Sequence, residues 1–328
     1  MILSILLVNV SGIICRIKWN LIALWTKLRT RHMKINKKVE KIIDRVMDVF
    51  IYTVVAGLLF IAVIVLAIAW FHIPTGSMEP TLIPGDNILV EKLSYGARLF
   101  NVGKALDGEE VEMKRMPALR GVKRNDVVVF HDPCPYEWRR IEMDMRKYYL
   151  KRCVALPGDT FRIVNGRYRV DGCDEILGHR GEQDKYADWV RIMSQNGDDP
   201  IGLAFPGDSL MGWTVMDFGP LYLPRKGDRI AMDRESFLCY RDAMRYETKR
   251  EPAYRNDSVL LGDSLITEYV FKQNYYFMAG DRANNSRDSR YWGILPEDFI
   301  VGRVWMIWDS KERNGGIRKW ERVGKWVK

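Results

Sequence analysis

Ser77 lies in "IPTGSMEPTLIPGD" (73–86), a lone serine between Gly76 and Met78, fenced by Pro74 and Pro80. A serine hydroxyl is a weak nucleophile at neutral pH and needs a group that takes its proton. No Gly-x-Ser-x-Gly elbow surrounds it, and His72 is the only histidine nearby. His131 and His179 sit in polar surroundings with no distinguishing pattern. Lysine is the other option, provided burial lowers its pKa from about 10.4 towards neutrality. The best candidate is Lys151 in "KYYLKRCVALPGD" (147–159). If this segment is a strand, alternation places Tyr149, Lys151, Cys153 and Ala155 on one face. Leu150, Arg152, Val154 and Leu156 then take the other, so Lys151 shares its face with no other charge. The pattern by itself equally permits an ordinary exposed strand lysine.

The elements that must position this pair are short. "LIPGDNILV" (82–90), "GVKRNDVVVF" (121–130), "LPGDTFRI" (156–163) and "LPRKGDRIAM" (223–232) each read as a turn entering a strand. Asn165-Gly166, between "TFRIV" and "RYRV", predicts a hairpin. The result is a mainly β body, 72–164 and 272–328, with a region inserted at 165–271. Within that insertion, 172–212 is polar and less periodic.

Ahead of the body, Val49 to Phe71 carry no charge over 23 positions. A bilayer core needs about 20 apolar residues in a helix, so one transmembrane helix is expected at 49–71. Lys37, Lys38, Lys41 and Arg45 precede the run, and no Lys or Arg follows it until Lys92. The positive-inside rule then puts the basic segment in the cytoplasm and the body outside. The segment 1–48 is expected to hold that basic stretch and, in "MILSILLVNVSGIIC", a possible first span. Met33 as the true start is the alternative.

The net charge of +9 has the same origin. Arg16 to Arg45 hold ten Lys and Arg against Glu40 and Asp44, leaving the remainder close to neutral. A nucleic-acid partner is therefore not expected. Five cysteines form an odd set without C-x-x-C spacing, so one pair could be oxidised in an exported domain and none can be named. Four histidines without H-E-x-x-H make no metal site, and Gly-rich phosphate fingerprints are absent.

Three stretches then carry a resemblance. "IPTGSMEPTLIPGDNILVEKLSYG" (73–96), "YYLKRCVALPGD" (148–159) and "GDRANNSRDSRYWGILPEDFIVGRV" (280–304) resemble the boxes of type I signal peptidases, in that family's order. The resemblance covers the anchor and about 75 residues of the body. It implies a membrane-bound endopeptidase of the outer face of the bacterial cytoplasmic membrane. Its β domain would be of the signal-peptidase and self-cleaving-repressor type. The enzyme would remove signal peptides after small residues (Ala-x-Ala), with membrane lipid as its surroundings and without a cofactor. Ser77 falls on the family's nucleophile and Lys151 on its general base. Thr75 falls where a hydroxyl completes the oxyanion hole with the Ser77 backbone N–H. Ser286 falls on the serine that orients the lysine. Asp281, Asp288 and Arg290 match structural positions behind the site. Ile73, Met78, Leu82, Tyr149 and Leu150 match the lining of the small −1 and −3 pockets.

The chain departs from the family at Arg282-Ala283, where Asn-Arg is usual, with Arg282 or Arg287 as a stand-in for the lost arginine. Glu79 reads as a solvated charge, Cys153 as small packing, and at least one tryptophan of "RVWMIW" (303–308) as a membrane-interface anchor. Two rivals remain on the sequence: a self-cleaving repressor-type protease, which would need a DNA-binding head, and an inert membrane-tethered binding protein.

Overall fold

The computed structural model describes residues 37–99, 114–136, 140–196, 202–312 and 316–327. The expectations for 1–36, including a first span, a start at Met33 and the state of Cys15, lie outside the described residues.

Helix α1 runs from Lys37 to Ala67. No proline interrupts it, and its outward residues include Val49, Phe50, Tyr52, Leu58, Phe60 and Val63, all exposed. Counted over the described side chains, no helix is long and apolar enough to cross a membrane. The expected helix at 49–71 is also too long. It ends at Ala67, and Ile68–His72 form strand β1, antiparallel to β2 (Asp86–Glu91). β-Branched and aromatic residues suit a pleated edge, and the N–H of Lys92 donates to the carbonyl of Ala67 where the helix stops. The described residues from Ala67 onward form one compact unit.

That unit is built on a seven-stranded antiparallel sheet. Its order is β1, β2, β10 (Ile300–Ser310), β3 (Val127–His131), β4 (Tyr148–Ala155), β8 (Tyr275–Ala279) and β9 (Leu295–Pro296). Period-two alternation divides its strands between two cores. Val127 and Val129 of β3 pack with Ile73, Met78, Leu82 and Ile88, whereas Val128 and Phe130 pack with Cys153, Met278 and Trp292. The expected turn-to-strand entries at 82–90 and 121–130 thus become β2 and β3.

The hairpin expected at Asn165-Gly166 joins β5 (Thr160–Val164) to β6 (Arg167–Val170), with both turn residues at positive φ. β7 (Phe218–Tyr222) completes this second sheet, so the hairpin straddles the expected boundary at 165. The inserted region also holds two helices that the mainly β reading omits. These are α2 (Arg180–Gln195), whose first turn is capped by the His179 side chain, and α3 (Arg234–Thr248), capped by Asp233. A third core joins them to the main sheet, running from Ala155, Phe277 and Ala279 to Phe161, Phe218, Tyr186 and Phe237.

Candidate active site

Ser77 and Lys151, 74 residues apart in sequence, meet. Lys151 lies in β4 opposite Val128 of β3, and its Nζ donates to the Ser77 Oγ at 2.7 Å. The alternation holds as far as Cys153, with Tyr149 and Cys153 serving one core and Leu150 another, but fails beyond it, where Val154 and Ala155 share a core and Leu156 joins that of Tyr149. The lysine is not an exposed strand residue, since only 4% of it is accessible. Burial pulls its pKa down to about 8; Asp288 and Asp281 oppose the shift and Arg290 adds to it. A buried ammonium loses its hydration, so the neutral amine, which can accept a proton, becomes accessible near physiological pH.

Ser77 is held by a tight turn and from behind. The N–H of Glu79 donates to the carbonyl of Gly76, and that of Leu82 to the carbonyl of Met78. The buried side chains of Met78 and Leu82 anchor the turn in the core. On the other side the N–H of Arg282 donates to the Ser77 carbonyl at 3.1 Å. Gly280 permits this approach, because a Cβ there would lie 2.7 Å from the Ser77 carbonyl oxygen and 2.1 Å from the Ser286 Oγ. Sequence reasoning did not single out Gly280.

Two buried ion pairs fix the loop that follows β8. Arg152 grips Asp281 through two bonds of 2.7 Å, and the Thr81 hydroxyl donates to the same carboxylate. Arg290 grips Asp288 through two bonds of 2.8 Å and reaches the Ala283 carbonyl. Burial pushes the Asp288 carboxyl up, but Arg290 and the N–H of Gly280 hold it below its ordinary value. Arg152, passed over as pointing away from the site, therefore carries half of this frame.

The remaining expected residues divide. Ile73, Thr75, Met78, Tyr149 and Leu150 line, with Ser77 and Lys151, a cleft of about 460 Å³. Thr75 is exposed at its rim. Leu82 does not line it: the side chain is fully buried in the core below. Ser286 is buried next to Gly280, and its Oγ makes no well-formed hydrogen bond to Lys151. Asn285 and Arg287 of the same loop do line the cleft, although neither was expected there for substrate. Glu79 is not simply solvated, since it pairs with Arg282. Cys153 is fully buried, as packing requires, and Cys134, Cys153, Cys173 and Cys239 are free thiols. Trp308 is exposed, while Trp305 packs edge-on against Trp326.

A serine hydroxyl bonded to a buried amine and lining an open cleft is equipped for acyl transfer by way of serine without histidine. The chain belongs to the family described as signal peptidase, peptidase S26, whose sequence profile matches residues 46–309. Among its relatives, the signal peptidase I of Pseudomonas aeruginosa is 30% identical over 271 residues, covering 77% of this chain and 70% of the relative. That of Buchnera aphidicola from Schizaphis graminum is 29% identical over 260 residues, 77% and 73% of the two chains. That of Aquifex aeolicus is 25% identical over 243 residues, 73% and 75%.

Proposed function

We propose that this protein is a signal peptidase that removes N-terminal signal peptides from exported preproteins, with Ser77 as nucleophile and Lys151 as general base. The observation that carries this reading is the 2.7 Å bond between the Ser77 Oγ and the nearly inaccessible Lys151 Nζ. Neutral Lys151 takes the hydroxyl proton as the Ser77 Oγ attacks the carbonyl of the residue before the cut. The resulting ammonium returns that proton to the leaving amine, and the C–N bond breaks. Water, deprotonated by the same lysine, then hydrolyses the acyl-serine.

Developing negative charge on the carbonyl oxygen would be met by the Ser77 N–H and the Thr75 hydroxyl, the latter exposed and able to rotate towards it. Ser286 would steady Lys151 once substrate excludes water from the cleft. Ile73, Met78, Tyr149 and Leu150 leave shallow apolar room, which suits small side chains at the −1 and −3 positions. An extended substrate beside β1 and β4 would be read by β-addition.

The setting follows from the chain before the body. The nineteen uncharged residues Val49–Ala67 would span about 28 Å as a helix. We read them as the anchor, with the basic segment cytoplasmic and residues from Ile68 onward on the outer face of the bacterial cytoplasmic membrane. Exposed Trp308, Trp320 and Trp326 support contact with lipid headgroups.

The test is cleavage of a synthetic Ala-x-Ala peptide by the full chain in detergent. Wild type should cut after the second alanine, and Ser77→Ala should not. More than a few per cent of activity in Ser77→Ala would overturn the assignment.

A further inference from the structure

A second cleft, of about 370 Å³, is different in character. Glu79, Pro80, Glu182, Lys185, Arg282 and Asn284 line it. Their linings are contiguous along the chain: Ser77 and Met78 line the first and Glu79 and Pro80 the second, as Asn285 lines the first and Asn284 the second. One is largely apolar and holds the reactive pair; the other is walled by charge. A polypeptide cut at Ser77 must continue past the nucleophile on the side opposite its −1 and −3 residues. The charged cleft, lined by the two residues that follow Met78, is the candidate for that space.

Its charges are paired internally. Arg282 donates through Nη1 to Glu79, and Lys185 donates to Glu182 at 2.6 Å. The commitment is partial. Of the five N–H groups on the Arg282 guanidinium, that one contact with Glu79 is the side-chain bond formed. The guanidinium and the Glu79 carboxylate are 39% and 32% accessible, so the pair is reachable. Lys185 is 76% accessible and can turn into the cleft from α2. The Glu79 carboxylate, in contrast, is folded back over the turn, and a Cβ at Gly76 would lie 2.6 Å from its Oε1. The cations therefore offer open donors, while the nearer carboxylate is turned towards its own backbone. A planar fork with an unused edge matches a carboxylate better than any other side chain.

We propose that this cleft receives the first residues of the mature chain, and that Arg282, supported by Lys185, selects an acidic side chain within the three positions after the cut. The proposal rests on the peptidase reading above. It gives the Arg282-Ala283 departure a use: the arginine here is tied twice to the turn that carries the nucleophile, by its backbone to the Ser77 carbonyl and by its side chain to Glu79.

The experiment uses full-length enzyme in detergent and Ala-x-Ala peptides carrying Asp, Asn or Lys singly at the first, second or third position after the cut. The readout is the ratio of kcat/KM for the Asp and Lys peptides, which does not depend on how much of a variant preparation is active. Wild type should favour Asp over Lys by about two- to fivefold at one position at least, the worth of one half-exposed charge contact. Arg282→Gln should bring that ratio near one, and Arg282→Glu should invert it. Lys185→Gln should reduce it less. A wild-type ratio near one at all three positions, or a ratio unmoved in both Arg282 variants, overturns the proposal while leaving the peptidase reading standing. Failure of wild type to cut any of the peptides overturns both.

Discussion

Replacing Lys151 with methionine should abolish activity and yet stabilise the protein at neutral pH. The buried amine has a pKa of about 8 against an ordinary 10.5. At about 1.4 kcal/mol per unit, keeping the ammonium inside the fold costs about 3 kcal/mol relative to the unfolded chain. The sign follows from proton counting. Between pH 8 and 10.5 the unfolded lysine holds a proton that the folded one has lost, so stability rises with pH across that window. Below pH 8 both states are protonated and the full cost is present. Above 10.5 both are neutral and the cost is gone. Methionine is unbranched, of similar length and carries no charge, so at pH 7 it removes the cost and gives up the bond to Ser77 and the ammonium's contact with the Tyr149 ring. For a body of this size a gain of 2–3 kcal/mol corresponds to a rise in Tm of about 5–10 °C. The assay is thermal unfolding of both proteins in the same detergent, followed by tryptophan fluorescence at pH 7 and pH 10.5. The Met variant should melt several degrees higher at pH 7, with the difference shrinking as pH rises. A Met variant less stable by the same amount at both pH values would refute the reasoning, because it would mean the amine is comfortably solvated or serves mainly as packing.

Two further outcomes follow from the frame around the pair. Thr75→Ser should be nearly silent in peptide cleavage, whereas Thr75→Val keeps the shape, loses the donor and should cost about 10²–10³ in kcat; equal kcat values for the two variants would leave the oxyanion to backbone donors alone. Arg152→Ala should destabilise the fold by about 3–5 kcal/mol by stranding the Asp281 carboxylate, and the double change Arg152→Met, Asp281→Leu should cost less than either single change, both checked by urea unfolding.

The reactive pair was legible through the motif resemblance, since the local pattern alone left Lys151 equally open as an exposed strand lysine. Ser77 stands in a proline-fenced turn that no helix can traverse, and alternation within Tyr148–Ala155 puts the strand's other charge, Arg152, on the opposite face from Lys151. What was not legible depends on distant partners. Ile68 to Phe71 are apolar and continue the uncharged run, so nothing local separates strand from helix; the break at Ala67 is set by pairing with β2 and by the N–H of Lys92. Leu82 matches a pocket-lining position in the resemblance, but a one-turn twist of the chain carries it into the core. Arg152 was correctly placed on the face away from Lys151, yet its partner Asp281 lies 129 residues on and cannot be read from spacing. Helix α2 escaped notice because its buried positions include Gln183 and Tyr186 among many charges, a weak apolar stripe. Its one clear sign was a histidine cap, an uncommon choice for that position.

The central claim is that Lys151 acts as the base in its neutral form, and the pH dependence of kcat/KM for one Ala-x-Ala peptide tests it most directly. With a pKa of about 8 the neutral fraction is about 1% at pH 6 and one half at pH 8. The rate constant should therefore climb about fifty-fold between those values and level off above pH 9. A profile with its acid limb near pH 4, flat from pH 6 upward, would assign the proton transfer to a carboxylate and contradict the account.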